Sequence, residues 1–260
     1  MQRQRIDSGR ASLSGYWRET ALVLLLVALL VAVMKSAPLA QPQYYHVFVD
    51  QRSLLGVPNF LNVLSSIPFL LVGALGSARC MGRRPPAAST CWAAFFIGAA
   101  FVGLGSAYYH WAPTDGTLLW DRLPMTVGFM GLFVALLAEH LGERVARYLL
   151  VPALALGVAS VLWWRWSDDL RLYVWVQLAS LVSVPFVLAL FPARYTHRWF
   201  LLVALLLYVL AKVMEYVDAA VYEMTGHAVS GHTLKHLLAA SAIFVILLML
   251  RRRTAITRSS

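Results

Sequence analysis

Eight apolar stretches divide the chain, and each is about as long as a helix that crosses a lipid bilayer. The hydrocarbon core of a bilayer takes about 20 residues of helix. On that measure the predicted spans are residues 18–35, 59–78, 91–110, 121–139, 147–164, 172–191, 198–216 and 231–250. We therefore predict an all-α polytopic membrane helix bundle, in which one N-terminal span precedes a seven-helix core.

The composition supports a membrane protein and excludes several other classes. Hydrophobic residues make up 60% of the 260 residues and charged residues only 13%, whereas soluble domains are about 25% charged. A water-soluble enzyme, a disordered tail and a disulfide-stapled secreted module are therefore excluded. The two cysteines, Cys80 and Cys91, flank one basic loop outside any metal-binding spacing, so neither a disulfide framework nor a thiolate metal site is expected.

The basic residues set the predicted orientation. Lys and Arg exceed Asp and Glu by 22 to 12, and they lie in short clusters between the spans. Fifteen occupy one alternating set of joints and tails, namely Arg3, Arg5, Arg10, Arg18, Arg79, Arg83, Arg84, Arg144, Arg147, Arg194, Arg198, Arg251, Arg252, Arg253 and Arg258. Five occupy the opposite set, namely Lys35, Arg52, Arg122, Arg165 and Arg171. The positive-inside rule then places both termini in the cytoplasm. This pattern suits a cell (inner) membrane, and it predicts no nucleic-acid partner.

The chain divides into three predicted segments. Residues 1–40 form a cytoplasmic tail and a span that resembles a signal anchor, residues 41–250 form the core, and residues 251–260 form a basic cytoplasmic tail. A cleaved signal peptide is the alternative for the first segment, although Lys35 interrupts the approach to a cleavage site. Either outcome leaves residue 41 outside.

Ionisable residues at membrane depth are costly, so each one is a functional hypothesis. They concentrate at the end of the third span, the start of the fourth, the end of the seventh and the start of the eighth. Because successive helices alternate in direction, all four places lie at the outer end of the bundle. Residues far apart in sequence are therefore expected to converge on one layer.

Three histidines in that layer form a candidate metal site. His232 and His236 are four residues apart, so they share one helix face and present two imidazoles to one ion. His110 is predicted at the same level, and we find no fourth His or Cys there. Three His ligands with an open fourth position are typical of catalytic zinc. Packing or a proton relay are the alternatives.

Two further residues are candidates for catalysis. Asp121, predicted in the first turn of the fourth span, has the chemistry to move a proton or to orient a ligand imidazole. The alternative is a helix-capping carboxylate. Ser106 shares a helix face with His110 and is a candidate donor to an oxyanion, with simple packing as its alternative.

Other polar residues receive weaker predictions. Lys212 and Glu215 are spaced for an ordinary ion pair, and Asp218 either reaches the site or faces water. No role is assigned to four histidines, which are predicted to be solvated or interfacial: His46, His140, His197 and His227.

The pattern Ser-x-x-x-His, an Asp eleven residues after that His, and His-x-x-x-His in the last span resembles the alkaline ceramidase family. The resemblance covers roughly residues 50–250, including Val57-Pro58-Asn59-Phe60-Leu61-Asn62 at the first core helix. This family shares a superfamily with the progestin and adipoQ receptors and the haemolysin III proteins. The resemblance implies a zinc-dependent amidase that splits the N-acyl bond of a ceramide-like lipid.

The resemblance also assigns roles to residues. His110, His232 and His236 match the zinc ligands, Asp121 the proton-transferring carboxylate and Ser106 the serine beside the water. The acidic stretch that binds calcium in eukaryotic members is missing here: Asp50 is its only acid, and Asn59 stands at the Glu-like position. The resemblance therefore does not carry a calcium site over to this chain.

Two rival functions remain at this stage. One is a zinc-containing lipid receptor or sensor without turnover, and the other is a proton-coupled transporter or a haem-binding electron carrier. His232 and His236 share one helix face, so they are too close to bind opposite sides of one haem. The expected partners are an N-acyl lipid and the bilayer, and no protein partner is inferred.

Overall fold

A computed structural model describes residues 16–81 and 87–256. The described chain is a bundle of α-helices, and a short 3₁₀ helix, Gln43–His46, lies between the first two. The α-helices are α1 (Trp17–Lys35), α2 (Phe60–Leu64), α3 (Ile67–Cys80), α4 (Ala87–Trp111), α5 (Asp115–Leu141), α6 (Glu143–Ser167), α7 (Arg171–Leu190), α8 (Phe200–Tyr216), α9 (Asp218–Met224) and α10 (Gly231–Arg252). The predicted all-α polytopic bundle is confirmed.

The membrane-spanning segments agree closely with the predicted spans. Seven are long and apolar enough to cross a membrane: α1, the α2–α3 pair, α4, α5, α6, α7 and α10. The predicted span 198–216 corresponds to α8, which with α9 forms a pair bent by 81°. Counting that pair as one span gives the predicted total of eight. The first fifteen residues, on which part of the N-terminal segment was predicted, lie outside the described residues.

The first core span is broken where the sequence predicted one continuous helix. The five-residue helix α2 ends at Leu64, and α3 begins at Ile67 with Pro68 in its first turn. Proline is tolerated there because the first N–H groups of a helix have no partner within it. The Ser65 hydroxyl donates to the carbonyl of Asn62 at 3.1 Å, and the Ser66 oxygen lies 3.0 Å from the same carbonyl. The break therefore leaves two serine hydroxyls at the head of the bundle.

Close packing of α4 on α5 sets the position of the third span. A Cβ at Gly105 of α4 would collide with the backbone of Trp120 on α5, and a Cβ at Gly98 would lie 2.5 Å from the amide nitrogen of Gly128. Small residues let transmembrane helices approach this closely. The contact aligns the C-terminal turns of α4 with the N-terminal turns of α5.

The start of α5 differs from the prediction. The helix begins at Asp115, and Thr114 caps it by accepting a hydrogen bond from the backbone N–H of Thr117 at 3.2 Å. The prediction that Asp121 lies in the first turn of this span is therefore wrong. The cap supplied by Thr114 moves the helix start six residues earlier than residue 121. Asp121 consequently lies in the second turn and is not a capping residue.

A second tight contact holds the start of α10. A Cβ at Gly231 would collide with the backbone of Met214 on α8 and would lie 2.7 Å from the Cα of Asp218. Asp218 opens α9, and its carboxylate accepts a hydrogen bond from the backbone N–H of His232 at 2.7 Å. The bend between α8 and α9 thus fixes the first turn of α10, where the histidine pair begins.

The segment after α1 is tied to the loop between α6 and α7. Asp168 accepts a hydrogen bond from the backbone N–H of Gln41 at 2.9 Å, and Asp169 accepts one from that of Leu39 at 3.3 Å. Arg171 donates to Asp169 at 2.7 Å and to the carbonyl of Ser36 at 2.8 Å. Hydrogen bonds from Arg171 lower the pKa of Asp169 to about 2. The first span is therefore joined to the core by charged contacts.

Candidate metal centre

The three predicted histidines converge at the head of the bundle. His110 comes from the last turn of α4, and His232 and His236 come from the first two turns of α10. All three are buried, with exposed fractions of 1%, 5% and 4%. The Nε2 atom of His110 lies 3.3 Å from the Nε2 atoms of both His232 and His236. The ligand nitrogens of these three buried histidines all lie within 4.8 Å of one another, so they form a candidate metal site.

The spacing of these nitrogens fits zinc. Zinc binds imidazole nitrogen at about 2.0–2.1 Å with tetrahedral geometry, so two ligand nitrogens on one ion are separated by about 3.3–3.4 Å. The two Nε2 separations of 3.3 Å have this value. Among the described residues, no other His, Cys or carboxylate group joins these three as a fourth ligand. The donor set therefore matches a three-histidine centre.

A hydroxyl orients one of the three imidazoles. Ser65, in the break between α2 and α3, has its Oγ atom 2.8 Å from Nδ1 of His236. Because the Ser65 hydroxyl donates to the carbonyl of Asn62, its oxygen is free to accept the Nδ1 proton. The Nε2 lone pair of His236 then points towards the other two histidines. Such partners of ligand histidines fix the tautomer that binds metal.

His110 is held mainly through its backbone. The side-chain amide of Asn59 donates to the carbonyl of His110 at 2.9 Å, while the Nδ1 atom of His110 has no hydrogen-bond partner among the described residues. Asn59 stands at the position that the family resemblance associates with a calcium-binding Glu. Asp50, the acid of that stretch, pairs with Arg52 at 2.7 Å, and this hydrogen bond lowers the pKa of Asp50. Both residues are therefore engaged by the protein.

Ser106 and Asp121 line the cavity at the head of the bundle. Both line the cavity that His236 also lines. Ser106 is 2% exposed, and its hydroxyl oxygen is 3.0 Å from that of Ser66. The carboxylate of Asp121 makes no hydrogen bond to any of the described residues. The structure thus places an unengaged carboxylate and a hydroxyl at the cavity surface, beside one of the three imidazoles.

Aromatic residues from the segment after α1 cover the centre. The ring of Phe48 lies 4.6 Å from that of His110 and 5.2 Å from that of His232, centroid to centroid. His46 lies 3.0 Å from the hydroxyl of Tyr109 and 3.1 Å from the carboxylate of Asp115. His46 is therefore partly buried, and these contacts hold the 3₁₀ helix against the bundle. The cover shields the imidazoles from water.

The remaining predicted polar residues separate into site neighbours and surface residues. Lys212 pairs with Glu215 as predicted, and Glu215 also accepts a hydrogen bond from Lys235 at 2.9 Å. The Nζ atom of Lys235 is 3.1 Å from Nε2 of His232, so this ion pair borders the centre. Asp218 faces α10 as the backbone partner of His232 described above.

The other histidines make no contact with the centre. The Nδ1 atom of His140 is 2.9 Å from the carbonyl of Leu136 in its own helix. His197 and His227 are exposed.

A large apolar cavity opens beneath the histidines. It has a volume of about 480 Å³ and lies between α4, α5, α7, α8 and α10. It extends from His236 to Ile246 along α10, which corresponds to about 15 Å at 1.5 Å per residue. This depth is half of the ~30 Å hydrocarbon core of a bilayer. The cavity therefore has the length and character to hold an acyl chain of one leaflet.

Several residues of the site were missed from the sequence. Ser65 and Phe48 lie in segments without helical periodicity, so nothing in the local pattern placed them at the centre. Arg122 was counted only among the basic residues that set the orientation, and no role was predicted for Lys235. The signal for these two was present: both are ionisable residues at membrane depth.

The fold and the site define a polytopic α-helical membrane protein with a buried three-histidine centre above an acyl-sized cavity. A family model described as Ceramidase matches residues 56–259, which is most of the chain. The chain therefore belongs to the ceramidase family, as the sequence motifs predicted. The match begins after α1, at residue 56. No curated protein and no solved structure matches the chain.

Proposed function

We propose that this protein is a zinc-dependent integral-membrane amidase that hydrolyses the N-acyl bond of a ceramide-like lipid to a free fatty acid and a sphingoid base. The observation that carries this proposal is the cluster of three Nε2 atoms, two separations of which are 3.3 Å, at the head of an apolar cavity. Membership of the ceramidase family supports the same chemistry.

His110, His232 and His236 hold the metal in this proposal. When bound at such a site, zinc polarises a carbonyl and lowers the pKa of a water molecule to about 7. Ser65 keeps the Nε2 lone pair of His236 directed at the centre, and Asp218 holds the backbone at His232. Phe48 excludes bulk water from the imidazoles, which strengthens electrostatic interactions within the site.

Asp121 carries the proton. Its carboxylate lines the cavity and is free of other hydrogen bonds, so it takes a proton from the attacking water and delivers it to the leaving nitrogen. Ser106 lies on the same cavity surface, and its hydroxyl donates to the oxygen of the substrate carbonyl as negative charge develops there. The acyl chain occupies the apolar cavity, so that the amide is held at its head.

The positive-inside pattern supports an arrangement with both termini in the cytoplasm and the site near the outer face of a cell (inner) membrane. The outer end of the bundle carries the segment that covers the histidines, between α1 and α2. Substrate in this arrangement comes from the outer leaflet, whose thickness matches the depth of the cavity.

The test combines metal content with turnover. Detergent-purified protein is analysed for zinc and assayed for release of fatty acid from a panel of ceramides and other N-acyl lipids, before and after chelation. His232→Ala is the test variant and His227→Ala its matched control, because His227 is an exposed histidine away from the centre. We expect stoichiometric zinc and chelator-sensitive release in the parent and control, and neither in His232→Ala.

Two outcomes would contradict the proposal. A metal-free His232→Ala protein that hydrolyses at the parent rate would exclude the metal mechanism. Stoichiometric zinc in the parent without release from any N-acyl lipid would instead support a lipid receptor or sensor in which the metal has a structural role.

A further inference from the structure

The cavity beneath the histidines ends in a floor of apolar side chains. On four of its helices, the lining residue farthest from the centre is Leu132 of α5, Val184 of α7, Leu201 of α8 or Ile246 of α10. All four are buried, with exposed fractions of 6%, 3%, 3% and 5%. They also belong to one buried apolar cluster of the bundle. The floor is therefore part of the packed core.

The cavity is open near its opposite end, at the level of the histidines. Lys212 lines it close to the outer end of α8, and the side chain of this residue is 55% exposed. Tyr208, one turn earlier on the same helix, also lines the cavity and is only partly buried. A lipid chain that enters near the head therefore extends towards a closed floor.

Two helices give a similar depth for the cavity. His236 and Ile246 are ten residues apart on α10, which corresponds to about 15 Å at 1.5 Å per residue. Asp121 and Leu132 are eleven residues apart on α5, which corresponds to about 16 Å. An extended saturated chain advances about 1.25 Å per carbon, because its C–C bonds of about 1.5 Å zigzag along the axis. The depth therefore accommodates about 12 carbons of an extended chain.

We propose that this floor limits the N-acyl chain of the substrate to the length of a dodecanoyl group and excludes very-long-chain ceramides. The inference rests on the proposed function, because it measures the chain from an amide held at Asp121 and His236. Lipid tails are as apolar as the cavity wall, so a longer chain gains little by leaving the bilayer. Selection comes instead from the clash of surplus carbons with a close-packed floor, since extra methylenes forced into a packed core are unfavourable.

Internal competition tests this limit in the parent protein. N-dodecanoylsphingosine and N-lignoceroylsphingosine share the base and the amide, but the lignoceroyl chain is far longer than the cavity is deep. Both lipids are presented at equal concentration in the same detergent micelles, and the released fatty acids are quantified by mass spectrometry to give the ratio of kcat/KM. We expect a preference for the dodecanoyl lipid of roughly 5- to 150-fold, the range for overpacking a core. Thermal stabilisation by each lipid gives a readout that does not depend on turnover, and the dodecanoyl lipid should stabilise the protein more.

Filling the lower cavity should move the limit to shorter chains. Ala242 lines the cavity six residues after His236 and is buried, so a phenylalanine there leaves about 9 Å of depth, enough for about 7 carbons. We expect Ala242→Phe to lower kcat/KM for N-dodecanoylsphingosine roughly 5- to 150-fold and to change it little for N-hexanoylsphingosine. Ser241→Phe is the matched control, because Ser241 is the neighbouring residue on α10, is exposed and lies outside the cavity lining. It should keep the parent preferences.

The outcomes distinguish this inference from the proposed function. Equal kcat/KM for the dodecanoyl and lignoceroyl lipids in the parent would overturn the limit and leave the amidase intact, whether or not Ala242→Phe folds. Equal changes for the hexanoyl and dodecanoyl lipids in Ala242→Phe would overturn it too. So would a preference that follows the length of the sphingoid base, because the base would then occupy the cavity. Zinc-bound parent protein that hydrolyses no N-acyl lipid would overturn the proposed function itself, and equal thermal stabilisation by the two lipids would then also overturn the limit.

Discussion

Replacing Ser65 with alanine should weaken zinc binding without removing a metal ligand. The Ser65 hydroxyl lies 2.8 Å from Nδ1 of His236 and is itself fixed by the carbonyl of Asn62. Without it, the Nδ1 proton of His236 loses its hydroxyl acceptor, and the tautomer and ring orientation that present Nε2 to the metal are held less firmly. Loss of such a partner typically lowers metal affinity 10- to 100-fold, or about 1.4 to 2.7 kcal/mol.

The measurement is a competition titration of metal-free, detergent-purified protein against a chromogenic zinc chelator. Ser77→Ala is the matched control, because Ser77 is a buried serine of the same span whose hydroxyl donates only to the carbonyl of Gly73, at 2.8 Å. We expect a weaker zinc Kd in Ser65→Ala and the parent value in Ser77→Ala. Equal zinc affinity in the parent and Ser65→Ala would refute the orienting role of this hydroxyl.

Three further predictions follow from the structure. Asp121→Asn should lower kcat about 10²- to 10⁴-fold while zinc content stays at the parent value, and loss of zinc would show instead that the carboxylate is structural. Gly105→Ala should lower the free energy of unfolding by about 1–3 kcal/mol, because the added Cβ collides with the backbone of α5. Gly116→Ala is its control: the nearest atom to the added Cβ is Oγ1 of Thr114 at 3.7 Å, so the thermal unfolding temperature should stay nearly unchanged. The pKa of Asp169 is lowered to about 2 by Arg171, against about 3.9 unfolded, so its stabilisation is present above about pH 4 and is lost as the pH falls through 2. The free energies of unfolding of Asp169→Asn and the parent should therefore differ near neutral pH and converge near pH 2. Stability profiles that coincide at every pH would contradict this.

The spans could be predicted from the sequence because the bilayer imposes one length on every apolar helix. The helix breaks could not. Ser65 and Ser66 interrupt a stretch that is apolar enough to be predicted as one span. Only the packing of this segment against α4 and α10 explains the break. The bend at Val217 also depends on contacts between residues distant in sequence, because Asp218 packs against Gly231 and accepts a hydrogen bond from the backbone of His232.

The candidate site divides in a similar way. His110, His232 and His236 could be predicted because a four-residue spacing defines a helix face and alternating helices return to one level. The start of α5 was misplaced because Thr114, a capping residue, precedes a polar first turn that hydropathy does not recognise as helix. Phe48 was missed because the covering segment has no helical periodicity. Contacts with residues distant in sequence, such as Tyr109, decide the position of this segment.

The first core span connects a break in a helix with the candidate site. Ser65 and Ser66 form the short turn between α2 and α3. The Ser65 hydroxyl lies 2.8 Å from Nδ1 of His236, and the Ser66 hydroxyl lies 3.0 Å from that of Ser106. Two consecutive residues of one turn thus contact a candidate metal ligand and the candidate oxyanion donor, which ties the position of this turn to the order of the site.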